Sequence, residues 1–181
     1  MNENVSMRLS LALLILLGSL SVSASEFDET KALAEQGDAD AQFALGYNYY
    51  AGIGAPQDYK EALRWYRASA EQGDQYAQSS LAKMYYDGEG TSQDYKEALR
   101  WFKASAVQGY ASSQYYLAIM YQNGEGTPQD YKEAFKWFSA SAEQGNDGAQ
   151  NNLAVLYSNG EGTLQNYKEA MKWYRASAEQ G

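Results

Sequence analysis

Trp65, Trp101, Trp137 and Trp173 stand 36 residues apart, each inside a near-copy of one octapeptide, Tyr-Lys-Glu-Ala-x-(Arg/Lys)-Trp-(Tyr/Phe). A period of this length restricts the fold to stacked copies of one small unit, because a single copy cannot bury its own apolar face. Four complete copies can be laid end to end, at residues 34–69, 70–105, 106–141 and 142–177, and residues 178–181 begin a fifth. Core size is then set by contacts between neighbours, not by chain length.

Within one copy the pattern is helical. After Gly73, Asp74 is placed to cap a helix whose Ala77, Leu81, Met84, Tyr85 and Gly88 fall on one stripe. Gly88-Glu89-Gly90 ends it, since two glycines open backbone angles closed to other residues. A second helix starts at Asp94. Asp94 and Glu97 have the spacing of a capping box, in which the glutamate returns to the cap residue's own amide, and the pair recurs as Asp58/Glu61, Asp130/Glu133 and Asn166/Glu169. Ala98, Trp101, Phe102 and Ser105 share one side of this helix, Lys96, Arg100 and Lys103 are left to solvent, and Gly109 closes it. Each unit is therefore a pair of antiparallel helices, A and B. The expected fold is all-α, a right-handed α/α superhelical solenoid with four complete 36-residue repeats. Residues 25–33 fit a polar N-terminal capping helix, with Glu29 where the tryptophan would stand.

Residues 1–24 follow another pattern. Arg8 precedes the almost wholly apolar stretch 9–17, and Val22-Ser23-Ala24 offers small residues before a cut at Ser25, the layout of a cleaved secretory signal. That stretch is well short of the ~20 residues a spanning helix needs, which disfavours the alternative of an uncleaved anchor. Met7, directly before Arg8, offers a second start. The mature chain is expected to be exported, periplasmic or secreted, with no stable membrane span. Having no cysteine, it carries no disulfide, and packing across the repeats must supply its stability.

Composition narrows the function. The formal charge of −9 survives loss of the signal, because Glu3 and Arg8 cancel. No cluster of Lys and Arg is present to displace counterions from phosphates, so nucleic acid is not an expected partner. A chain with no histidine and no cysteine cannot build a histidine-based triad, a thiol nucleophile or a usual zinc site. The glycine turns hold Glu89, Glu125 and Glu161, whose charge opposes phosphate, and Asp87 with Glu89 lacks the ligand spacing of a calcium loop. Neither a cofactor nor a metal is expected. A carboxylate pair could still hydrolyse a glycan, but Asp58, Asp94 and Asp130 recur because each helix needs a cap, so no catalytic residue is assigned. Tyr49, Tyr85, Tyr121 and Tyr157, and likewise Tyr59, Tyr95, Tyr131 and Tyr167, recur as packing between repeats requires.

The set Ala39, Ala41, Gln42, Leu45, Gly46, Tyr49, Gly52 and Gly54, followed by Asp58, Tyr59, Ala62, Trp65 and Tyr66, resembles the Sel-one-like repeat (SLR) family, relatives of the tetratricopeptide repeats. The resemblance extends from Ala34 to Gly181. Ordinary tetratricopeptide repeats are a little shorter and carry their tryptophan on helix A, whereas here it lies on helix B. Ser113 at an alanine position, Tyr110 in place of a capping Asp or Asn, and Asn166 for the helix B aspartate depart from the pattern. The resemblance implies an adaptor that assembles protein complexes, in bacteria often at the envelope, in exopolysaccharide control or in contact with host cells.

Positions that differ between copies are those the scaffold does not need. One helix A position holds Phe43, Ser79, Tyr115 and Asn151, the next Ala44, Ser80, Tyr116 and Asn152, and a third Tyr47, Lys83, Ile119 and Val155. In tetratricopeptide-like solenoids helix A lines the concave side. The expected partner-binding groove is therefore Phe43, Tyr47, Lys83, Tyr115, Tyr116 and Ile119. The expected function is a non-catalytic protein–protein interaction scaffold or adaptor of the bacterial-type cell envelope, holding an extended peptide or partner helix. The alternatives are an envelope glycan-binding protein or carboxylate-dependent hydrolase, and a spacer that links complexes through its ends.

Overall fold

The computed structural model describes residues 25–180; the expected signal segment, residues 1–24, and Gly181 lie outside the described residues. Among the described residues the regular structure is entirely helical. Residues 25–35 form α1, followed by α2 (Ala39–Ala51), α3 (Tyr59–Glu71), α4 (Gln75–Asp87), α5 (Tyr95–Val107), α6 (Ala111–Asn123), α7 (Tyr131–Glu143), α8 (Asp147–Asn159) and α9 (Tyr167–Ala178). The even-numbered helices are the A helices of the repeat and α3, α5, α7 and α9 the B helices. The principal contacts run between consecutive helices, as in a solenoid.

The two turns differ in construction. The tight B-to-A turn at Gly109 is a Schellman motif: φ is +99°, the Gly109 amide donates to the Ala106 carbonyl at 3.0 Å, and the Tyr110 amide donates to Ser105 at 3.4 Å. The residue after the glycine then caps the next helix. Asp74 accepts from the Ala77 amide at 2.6 Å and Asn146 from the Ala149 amide at 2.8 Å. Tyr110 makes no side-chain cap, yet α6 begins in the same register, with the Tyr110 ring packed edge-on against Tyr76 at 5.2 Å. The wider A-to-B turn needs its second glycine twice over. Gly90, Gly126 and Gly162 lie near φ +70°, and a Cβ there would collide with the backbone carbonyls of Tyr59, Tyr95 and Tyr131 in the preceding repeat.

One expectation is corrected at the start of the B helices. Asp94 does cap the amides of Lys96 and Glu97, at 3.0 and 3.1 Å, but Glu97 does not return to the Asp94 amide. That amide donates to the Tyr85 carbonyl at 2.9 Å, and Asp58, Asp130 and Asn166 do the same with Tyr49, Tyr121 and Tyr157. The donor is satisfied inside the turn that reverses the chain, so the glutamates are free to pair with the cation one turn on. Glu61, Glu97, Glu133 and Glu169 pair with Arg64, Arg100, Lys136 and Lys172 at 3.1 to 3.7 Å. Each cation also lies over the neighbouring tryptophan, Arg100 4.2 Å from the Trp101 ring centroid. These pairs are exposed and hold the surface of helix B at a few tenths of a kcal/mol each.

The core repeats with the sequence. Leu45, Leu81, Leu117 and Leu153 are fully buried on the A helices, as are the small Ala62, Ala98 and Ala134 on the B helices. Tyr66, Phe102 and Phe138 fill the space behind them. Phe27 and Ala34 of α1 bury against Leu45 and Trp65, while Glu29 is exposed. Phe27 meets Tyr49 edge-on at 5.5 Å, the contact that Phe135 makes with Tyr157 at 5.1 Å, so α1 reproduces the packing of a B helix. At the α9 end no further pair packs on the chain among the described residues, and Leu164, Tyr167 and Met171 are exposed.

A ladder of glutamines ties successive repeats. The buried Gln114 amide donates to the Ala106 carbonyl at 3.2 Å, and its oxygen accepts from Gln144 of the next B helix at 2.8 Å; Gln144 also donates to the Gly109 carbonyl at 2.9 Å. The same links join Gln42 to Gln72, Gln78 to Gln108 and Gln150 to Gln180. Replacing Gln114 with leucine keeps the volume but removes two hydrogen bonds; the Ala106 carbonyl keeps the Gly109 amide and the exposed Gln144 amide keeps the Gly109 carbonyl, so the expected cost in urea unfolding is about 1 kcal/mol. Gln122→Leu, on the same helix but outside the ladder, is expected to change stability by only about 0.5 kcal/mol.

Candidate functional site

A hollow of about 320 Å³ opens on the A-helix side of the first repeats. Three A helices build it: α2 contributes Tyr47 and Tyr50, α4 contributes Ser79, Ser80, Lys83 and Met84, and α6 contributes Tyr116. Tyr66 of α3 and Glu89 of the α4–α5 turn complete the wall. Tyr47 is the most open of the tyrosines lining the hollow, 51% exposed, whereas Tyr66 is only 2% exposed. Lys83 pairs with Asp87 one turn along and lies 5.7 Å from the Tyr116 ring centroid. The lining is aromatic with a few polar groups.

Of the six residues picked from sequence, the structure gathers Tyr47, Lys83 and Tyr116 around this hollow. The other three serve packing at its margins. Phe43 lies 5.7 Å from Tyr66 and 6.1 Å from Tyr76. Tyr115 lies 6.0 Å from Phe138 and is accommodated because Gly148 has no Cβ to meet its ring. Ile119 is packed on the buried cluster around Phe138. Sequence comparison passed over Tyr50, Tyr66 and Glu89. A signal for Tyr50 was present, since its counterparts are Tyr86, Gln122 and Ser158. Glu89 was hidden because Glu125 and Glu161 repeat it.

Electrostatics set the character of the wall. Burial first, then the neighbouring Glu89 carboxylate, pushes the Tyr50 phenol up to about 12 from its ordinary 10.0. Burial likewise raises Tyr66, Tyr86, Tyr115, Tyr121 and Tyr157. A raised phenol keeps its proton in the fold where the unfolded chain releases it. The contribution is therefore fully present below pH 10 and is lost as pH rises from 10 towards 12. Tyrosinate absorbance and loss of helical circular dichroism are expected to rise together in that window. Free titration of these phenols with the helices intact would show that their burial does not restrain them.

The helix caps account for the recurrent acidic residues. Asp58, Asp94 and Asp130 each accept two backbone amides, which fixes them at helix ends and away from the hollow. Among the described residues no group of His, Cys, Asp and Glu is arranged to hold a metal ion, and no helix is long and apolar enough to cross a membrane.

The Sel1 repeat model matches residues 39–74, 75–110, 111–146 and 148–181. The chain belongs to the Sel1 repeat family. Its matched frames open at the A helices. Among solved structures, the chain is similar to a protective antigen of uropathogenic Escherichia coli strains displaying an SLR fold, with 40% identity and a TM-score of 0.83 over 86% of this chain and 33% of that one. It is also similar to a Sel1 repeat protein from Oxalobacter formigenes, with 34% identity and a TM-score of 0.82 over 87% of this chain and 65% of that one. The chain thus spans a third of the first relative and just under two thirds of the second. Cysteine rich protein B of Helicobacter pylori shares the fold at 19% identity, with a TM-score of 0.54 over 69% of this chain and 90% of that one. No curated protein matches. Sel1 repeats generally mediate protein interactions.

Proposed function

We propose that this Sel1 repeat chain is a non-catalytic adaptor, exported to the periplasm or beyond, that holds a segment of a partner protein against its A-helix face. The observation that carries the reading is the hollow shared by α2, α4 and α6, where Tyr47, Lys83 and Tyr116 from three successive repeats converge. A surface assembled from three repeats reads an extended ligand, since each repeat presents its own variable side chains at a fixed spacing. Aromatic residues standing beside charged groups are the side chains that dominate protein interfaces. The acidic chain offers no basic patch for nucleic acid, and its capping aspartates are committed to backbone amides, which disfavours them as a hydrolytic pair.

Capture from envelope and culture-medium extracts tests the reading. The chain starting at Ser25 is expected to retain a protein that the Tyr47→Ala/Lys83→Ala variant loses while its helical content is unchanged. An identical set of proteins on both would sink it. Export is tested separately by the mass of the chain recovered outside the cytoplasm, expected to begin at Ser25; a cytoplasmic chain of full length would contradict export.

A further inference from the structure

We propose that the hollow between α2 and α4 is a socket for one aromatic side chain of a partner peptide, with lysine or arginine flanking that residue; this rests on the interaction reading above. The molecule itself shows what fits. Moved forward by one 36-residue repeat, the wall residues Tyr50, Tyr66, Ser80 and Glu89 become Tyr86, Phe102, Tyr116 and Glu125. In that next register the space is closed by the chain's own ring: Tyr116 stacks on Phe102 at 5.0 Å and 12°, and stands 6.1 Å from Tyr86. One repeat earlier Ser80 replaces the ring, and Tyr50 and Tyr66, which would flank it, line an open hollow instead. Its volume of about 320 Å³ suits a side chain and is at the lower end for a small-molecule site.

The carboxylate at the wall differs between the two registers in the same sense. Glu125 accepts a hydrogen bond from the Tyr86 hydroxyl at 2.9 Å. Glu89 lies beside Tyr50 in the equivalent place, and one buried Glu89 oxygen has no hydrogen-bond partner. Lys83 does not neutralise it, because Lys83 pairs with Asp87. Among the described residues Glu89 has no cationic partner, and the chain as a whole carries −9. A ring entering the socket from a basic segment fills the space and brings a cation to the unbalanced carboxylate, which selects lysine or arginine as its neighbours.

The test pans a displayed library of random short peptides against the chain from Ser25, and against Ser80→Tyr and Glu89→Gln. The wild type is expected to enrich Tyr, Phe or Trp flanked by Lys or Arg. A synthetic representative is expected to bind Ser80→Tyr at least ~10-fold more weakly, with circular dichroism and melting unimpaired because the next repeat already holds tyrosine there. Glu89→Gln is expected to keep the aromatic preference and lose the basic flanks, an outcome that does not depend on Ser80→Tyr folding. Enriched peptides without an aromatic residue, or equal binding by Ser80→Tyr, would overturn the socket and leave the adaptor reading standing. Enrichment of no peptide at all would overturn both.

Discussion

Gly126→Ala is expected to destabilise the array by about 2–5 kcal/mol, the sum of about 1–2 for a left-handed non-glycine residue and about 1–3 for an atom forced into packed structure. The colliding atom is what makes this position severe. A Cβ at Gly126 meets the carbonyl of Tyr95, at the first turn of α5, so it cannot be accommodated by rotating a side chain. The turn of one repeat would be pushed off the B helix of the repeat before it, and the junction between them would open. Gly109→Ala provides the comparison. Its φ is also positive, at +99°, but nothing lies within 4 Å of the added atom, so only the backbone strain of about 1–2 kcal/mol applies. Urea unfolding of the two variants should therefore separate them clearly, and equal midpoints would show that the close approach of Gly126 to the preceding repeat is not a structural requirement.

Phe102→Ala is expected to cost about 3–5 kcal/mol, the range for deleting a buried aromatic ring. Phe102 is fully buried and carries the stacked Tyr116 ring from the following repeat, so the loss falls on the joint between two repeats as well as within one. In a linear array, weakening a joint is expected to uncouple the units on either side, which would broaden the unfolding transition as well as shift it. Phe102→Tyr, matching Tyr66 at the same position of the first repeat, is expected to be far milder. A sharp, unshifted transition for Phe102→Ala would mean that the aromatic stack does not couple the repeats.

These positions explain why the fold was legible and the site only half so. Trp65, Trp101, Trp137 and Trp173, the paired glycines and Asp94 with its counterparts repeat at one interval, and anything a repeat demands is written once per copy. The helix pairs and the solenoid follow directly from that redundancy. The return bond from Glu97 was misread because the Asp94 amide is consumed by the Tyr85 carbonyl across the turn, a contact that local spacing cannot show. Among the positions that vary between copies, Tyr47, Lys83 and Tyr116 line the hollow while Phe43 and Tyr115 pack against neighbouring rings, since a large residue can vary to fill space as readily as to meet a partner. Phe43 covers Tyr66 and Tyr115 covers Phe138, each from its own repeat, while Tyr116 covers Phe102 from the next one. That alternation leaves the hollow beside Ser80, and it is visible only once the repeats are stacked. Glu89 shows the converse: a residue that recurs in three copies can still differ in role when its neighbours differ.

The most direct test of the adaptor reading places a photo-reactive benzoylphenylalanine at Tyr47 in one chain and at Lys96, on the solvent face of α5, in another, and irradiates cells producing each. Crosslinks to a partner protein from the Tyr47 position, absent from the Lys96 position, are the expected result. Crosslinks from Lys96 with none from Tyr47 would place the partner on the B helices and contradict binding at the A-helix face.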